Sequence, residues 1–240
     1  MSGVVIAETV RRHVTNIGYL GYLALMAIVS LGVSVFNRPA SGWPSLVTLL
    51  ALIAGCRAIG PEFSSGTLQL ILVKPLTRAA YLLSRVTGIV LVVWIGAVVC
   101  VICELTGRLL WGDGVPWAAI GTMLLNACAD AVLAVALLAF LGSLTRAYFN
   151  IAIYIVLMIG LTMSGITLGL LRQSANVVGQ FLKDNNFPDR VLLTIERNLF
   201  PDLPPRFDGP WLVMVLCNAA VALLLACLVF RNREVPYGAD

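Results

Sequence analysis

Four stretches of this 240-residue chain carry no charge over about the thickness of a bilayer's hydrocarbon: Ile17–Phe36, Val86–Cys103, Tyr148–Leu171 and Pro210–Phe230. A helix rises 1.5 Å per residue, so about 20 apolar residues cross a core of roughly 30 Å. Two further stretches are each interrupted once, Pro116–Leu141 by Asp130 and Trp43–Ile59 by Arg57 near its end. The expectation is an all-α integral membrane protein with six spans, at about 17–36, 43–59, 78–104, 116–142, 148–171 and 210–230. An even number puts both termini on one side.

Composition agrees. Hydrophobic residues make up 60% and charged residues 12%, with a mean hydropathy of +0.94. An average soluble domain is about 25% charged. So little polar surface cannot cover a water-facing globule, which excludes a soluble enzyme, a disordered protein and a DNA-binding domain. The net charge of +4 is 16 Lys+Arg minus 12 Asp+Glu. Its basic members sit at membrane edges, so no nucleic-acid partner is implied. The first run follows Arg11, Arg12 and His13 but is too long for a signal core of about 7–15 residues, and reads as a retained anchor.

Lys/Arg bias orients the spans. With the termini in the cytoplasm, inner segments hold Arg11, Arg12, Arg57, Lys74, Arg78, Arg85, Arg146, Arg231 and Arg233, while the two short outer loops hold only Arg38 and Arg108. Trp43, Trp111, Trp117 and Trp211 then fall at outer ends, as an interfacial belt would. The six cysteines all lie within spans, so no disulfide framework is implied. Cys100 and Cys103 have a metal-ligand spacing, but on an apolar helix they also read as small packing residues.

Several chemistries are missing. Lys74 follows Val73 and Lys183 follows Leu182, so neither is the lysine of a phosphate-cradling Gly-Lys-Ser/Thr loop. The lone histidine, His13, lies outside every span. Asp130 is the one clear ionisable residue at membrane depth, which argues against an ion-coupled carrier.

The most informative stretch lies between the second and third spans. Pro61 can open a helix and Glu62 suits its positive end. Pro75 disfavours helical geometry at Lys74, and Thr77 can cap the third span. A short helix at about 61–73, on the inner face, is expected. With Phe63, Leu70 and Val73 at near-helical spacing it could fill a groove on a partner; alternatively it rests at the lipid interface.

Glu62, Gly66-Thr67-Leu68, Leu70-Ile71-Leu72, Pro75, Thr77-Arg78 and Arg85 together resemble the coupling-helix signature of the ABC type-2 permease family. Arg85 stands where that family more often has lysine. The six-span plan, the basic N-terminal helix and the Arg231–Arg233 tail are similar to the family over the whole chain. The resemblance implies a permease subunit of the inner (cytoplasmic) membrane, most often an exporter. ATP and Mg would be bound by a separate ATPase, two copies of which pair with two permeases, so this chain would hold no cofactor and catalyse nothing itself. It further implies that Glu62, Phe63, Ser64, Ser65, Gly66, Thr67, Leu68, Gln69, Leu72, Pro75 and Arg78 meet the ATPase, together with Arg11 and Arg12. A second permease copy or a paralogue would complete the membrane part. A membrane anchor for an ATPase or assembly complex, without transport, is the alternative reading.

Residues 3–14 place valines and Ile6 against Glu8, Arg11 and Arg12, as an amphipathic interfacial helix does. Asp130 costs about 2.5–3.5 kcal/mol at mid-span, so it should face the protein interior. It reads either as a gate or path residue or as the acceptor of a structural hydrogen bond from Asn126 or a neighbouring span. Asn126, Asn150, Thr162 and Ser164 pose the same question. Gly160, Gly165 and Gly169 suggest close helix packing. Arg57 could pair with Glu62. The outer segment at about 172–209 holds two amphipathic patterns, Val177–Leu182 and Val191–Leu199, the second ended by Pro201.

Overall fold

The computed structural model describes residues 2–35, 43–56, 77–111, 114–145, 149–173, 187–204 and 206–232. Among them there are eight α-helices and no strand. They are α1 (Gly3–Val14), α2 (Ile17–Val35), α3 (Trp43–Gly55), α4 (Arg78–Trp111), α5 (Trp117–Leu144), α6 (Phe149–Gln173), α7 (Phe187–Leu199) and α8 (Gly209–Asn232).

Four of these helices, α4, α5, α6 and α8, are long and apolar enough to cross a membrane. A fifth span is counted when α1 and α2, which meet at a bend of 70°, are taken together. The 13 residues of α3 are shorter than a span, and residues 57–59 of the expected 43–59 stretch lie outside the described residues. Helix α4 is longer than expected: it continues past Glu104 to Trp111, about 51 Å in all. Arg108, read from sequence as a loop residue, is therefore helical and 4% exposed.

The chain divides into two compact units. One comprises Met1–Asn150 and Leu203–Asp240. Its centre is α5, whose alanines let neighbouring backbones approach closely, the packing that substitutes for hydrophobic drive inside lipid. Ala129, Leu133 and Ala136 of α5 form a core with Trp211, Val215, Ala219 and Ala222 of α8. On its other sides α5 meets α3 and α4. Helix α2 lies on α4, where the Tyr19 hydroxyl donates to the Val92 carbonyl at 3.0 Å, and the Tyr22 hydroxyl reaches the Leu46 carbonyl of α3 at 3.0 Å.

The other unit, Ile151–Asp202, is formed by α6 and α7. Tyr154 and Phe200 meet edge to face at 5.0 Å, and the Thr162 hydroxyl lies 3.5 Å from Glu196 Oε1. Helix α7 carries the Val191–Leu199 pattern; Val177–Leu182 lies outside the described residues. Helix α6 is apolar nearly all round, as a helix surrounded by hydrocarbon is. Among the described residues, a Cβ added at Gly160 or Gly165 meets nothing within 4 Å.

The tryptophan belt needs correction. Trp111 and Trp117 are 56% and 66% exposed, but Trp43 and Trp211 are buried. Trp211 packs into the α5–α8 core, and Trp43 points its indole N–H at a carboxylate inside the protein.

Candidate functional site

The signature residues Glu62, Phe63, Ser64, Ser65, Gly66, Thr67, Leu68, Gln69, Leu72 and Pro75 lie outside the described residues, as does the expected Arg57–Glu62 pair. Their flanks are described. Upstream, Cys56 follows the end of α3. Downstream, the Thr77 hydroxyl accepts from the Ala80 N–H at 3.3 Å and so caps α4. Arg78, on the first turn of α4, donates to the Arg231 carbonyl at 3.4 Å and ties the start of α4 to the end of α8.

The next two turns of α4 form a seat for α1. Arg85, the last basic residue of the signature, is buried and donates from Nη1 to Thr9 Oγ1 at 3.1 Å. Ser84 Oγ accepts the Ser2 N–H at 2.8 Å. Gly88 permits the contact: a Cβ there would lie 2.7 Å from Thr9 Cβ and 3.2 Å from the Ile6 carbonyl oxygen. Arg11 and Arg12 sit on the exposed side of α1, 3.1 and 2.8 Å from the Glu8 carboxylate. The hydrogen bond from Arg12, with Arg11 nearby, holds the Glu8 carboxyl below its ordinary value of 4.5, so it stays charged at neutral pH.

The five polar residues considered for a path or gate are held in different ways. Asp130 is 7% exposed and accepts the Thr48 hydroxyl of α3 at 2.7 Å. Asn126 instead donates to the Pro204 carbonyl at 2.9 Å. Asn150 is fully buried and donates to the carbonyls of Cys56 and Leu138 at 3.3 and 3.4 Å, joining the start of α6 to α3 and α5. Ser164 donates back to its own helix at Leu161, while Thr162 has two acceptors in reach, the Met158 carbonyl at 3.0 Å and Glu196 Oε1 of α7 at 3.5 Å. Four of the five therefore bond to another element. Asp130→Asn keeps an acceptor for Thr48 and is expected to match wild type in detergent unfolding, whereas Asp130→Leu removes it and costs about 1–3 kcal/mol. Equal losses in the two variants would show that the Thr48 bond is not what matters there.

One constellation escaped the sequence reading. Glu104 and Arg108 of α4 form an ion pair at 2.9 Å, their side chains 0% and 5% exposed. Trp43, at the start of α3, donates its indole N–H to the other Glu104 oxygen at 2.7 Å. Among the described residues of this unit, Asp130 is thus one of two buried carboxylates. The available signal was the i,i+4 Glu–Arg spacing just past an apolar run, which on a helix brings the two charges together.

Long apolar helices, interior polar side chains spent on helix-to-helix ties, and lipid-compatible outer surfaces define a multi-pass, all-helical membrane protein. Within that class, the family model described as ABC-2 family transporter protein matches residues 22–235. The chain therefore belongs to the ABC-2 transporter family, whose members are the transmembrane permeases of ABC transporters. No curated protein matches it.

Proposed function

We propose that this chain is the membrane-spanning subunit of an ABC exporter, with six spans, both termini in the cytoplasm, and an ATPase supplied by a separate polypeptide. The observation that carries this reading is the family match over residues 22–235, which takes in the whole Glu62–Arg85 signature. In this reading the segment from Glu62 to Pro75 is gripped by the ATPase on the cytoplasmic side, and Arg78, Arg11 and Arg12 flank the contact. ATP and Mg belong to that partner; this chain transmits the movement. Two permeases, identical or paralogous, complete the complex.

The joint between α1 and α4 supports the same reading. The signature ends at Arg85, and Arg85 is hydrogen-bonded to α1. A displacement entering α4 from the signature segment is therefore shared at once with α1. This is how a ligand bound on one subunit biases a two-state element on another.

The test is a reconstituted complex of this chain with a P-loop ATPase that co-purifies with it from native membranes. Glu62→Arg is expected to reduce the ATPase activity that depends on this chain by at least about tenfold, the equivalent of one lost charge-assisted contact. Membrane insertion and detergent stability should be unchanged. Wild-type turnover by the variant complex would overturn the assignment of this segment.

A further inference from the structure

A narrow groove of about 390 Å³ runs along α4, lined by Val10 of α1 and by Leu91, Trp94, Ile95, Val98 and Val99. Its lining offers a ligand no hydrogen bond: the one polar group among these side chains, the Trp94 indole N–H, is donated to the Cys128 carbonyl of α5 at 3.2 Å. Because Thr9 sits on Gly88, Val10 closes the groove at its Leu91 end. From there to Val99 the groove covers about 12 Å of helix.

An apolar slot of that length can take one hydrocarbon chain. A second copy of the chain or a partner helix laid over the groove would instead cover Trp94 with protein. Beside Val10 the surface turns basic. Helix α1 carries Arg11 and Arg12 against Glu8, a net +1, and the Arg11 side chain is 75% exposed. An apolar slot with a cationic rim on an amphipathic helix matches a lipid whose headgroup is an anion.

We propose that this groove holds one acyl chain of an anionic membrane phospholipid, its headgroup at Arg11. The proposal requires α4 to lie in lipid and is tested without the ATPase, although Arg11 is also one of the residues assigned to the flank of the ATPase contact.

The experiment uses the full-length chain in detergent with Trp111 and Trp117, both exposed, changed to Phe, so that Trp94 is the accessible indole. Phosphatidylglycerol and phosphatidylcholine with brominated acyl chains are titrated in separately, and bromine quenches an indole it touches. Half-quenching is expected at roughly five-fold lower phosphatidylglycerol than phosphatidylcholine, the preference one arginine at a membrane surface confers. Arg11→Gln should bring the ratio to about one. Val98→Phe, at a position 46% exposed and so tolerant of size, should fill the slot and abolish the low-concentration quenching by either lipid. Trp94→Phe serves as the blank. Equal quenching by the two lipids in the parent protein would overturn the proposal. So would a preference that survives Arg11→Gln, or a Trp94 that neither lipid reaches because protein covers it.

Discussion

Replacing Glu104 with leucine is expected to destabilise the protein by about 3–5 kcal/mol, the range for removing one partner of a buried ion pair. The carboxylate holds two donors at once, Arg108 Nε at 2.9 Å and Trp43 Nε1 at 2.7 Å, and neither side chain has access to water. The substitution takes the Glu104 carboxylate away from a buried guanidinium and the acceptor away from the Trp43 indole N–H. The companion variant is Glu104→Leu with Arg108→Met. Because buried pairs are often replaceable by apolar residues of similar size, the double variant should be markedly milder than Glu104→Leu alone. Chemical unfolding in detergent reads both. If the double variant is as unstable as the single, the uncompensated charge is not the source of the cost.

Gly88→Leu is the second large effect. An added Cβ would stand 2.7 and 2.9 Å from Thr9 Cβ and Cγ2, and 3.2 Å from the Ile6 carbonyl oxygen. Two of these three belong to the root of a β-branched side chain or to the backbone, so the obstruction cannot be relieved by rotating a side-chain tip. The expected outcome is that α1 lifts from α4, losing the Arg85–Thr9 and Ser2–Ser84 bonds, at about 1–3 kcal/mol for the overpacking alone. Trypsin should then cut after Arg11 and Arg12 several times faster than in wild type. Gly96→Ala is the control. There the nearest atom, Leu50 Cδ2 at 2.5 Å, is the end of a flexible side chain that can turn aside. A Gly88→Leu protein with wild-type cleavage rates would mean that α1 does not depend on this contact for its place.

Helix positions were legible in the sequence because hydrocarbon thickness imposes a length, and length with absence of charge can be counted. The described helices at Trp117–Leu144 and Gly209–Asn232 lie close to the expected spans for that reason. What a side chain faces was far less legible. Trp43 and Trp117 both sit at helix starts, yet one is buried and the other 66% exposed, and nothing local distinguishes them. That Asp130 needs a partner follows from the cost of burying a carboxylate. That the partner is Thr48, 82 residues away, does not, since it depends on how α3 and α5 are set against each other. The end of α4 was placed near Glu104 because Arg108 looked like the charge of a water-exposed loop. One helical turn apart they satisfy each other, which lets the helix continue through the protein interior. The signature after Cys56 was readable only through its likeness to a family, because its short apolar pattern alone also suits a helix resting on lipid.

Helix α3 is fastened at three heights, by Trp43 to α4, by Thr48 to α5 and by the Cys56 carbonyl to Asn150. These points span about 20 Å. Such fastening removes two degrees of freedom, turning about its own axis and sliding along it, since either would break at least one bond. What is left is tilting as a block with α4 and α5.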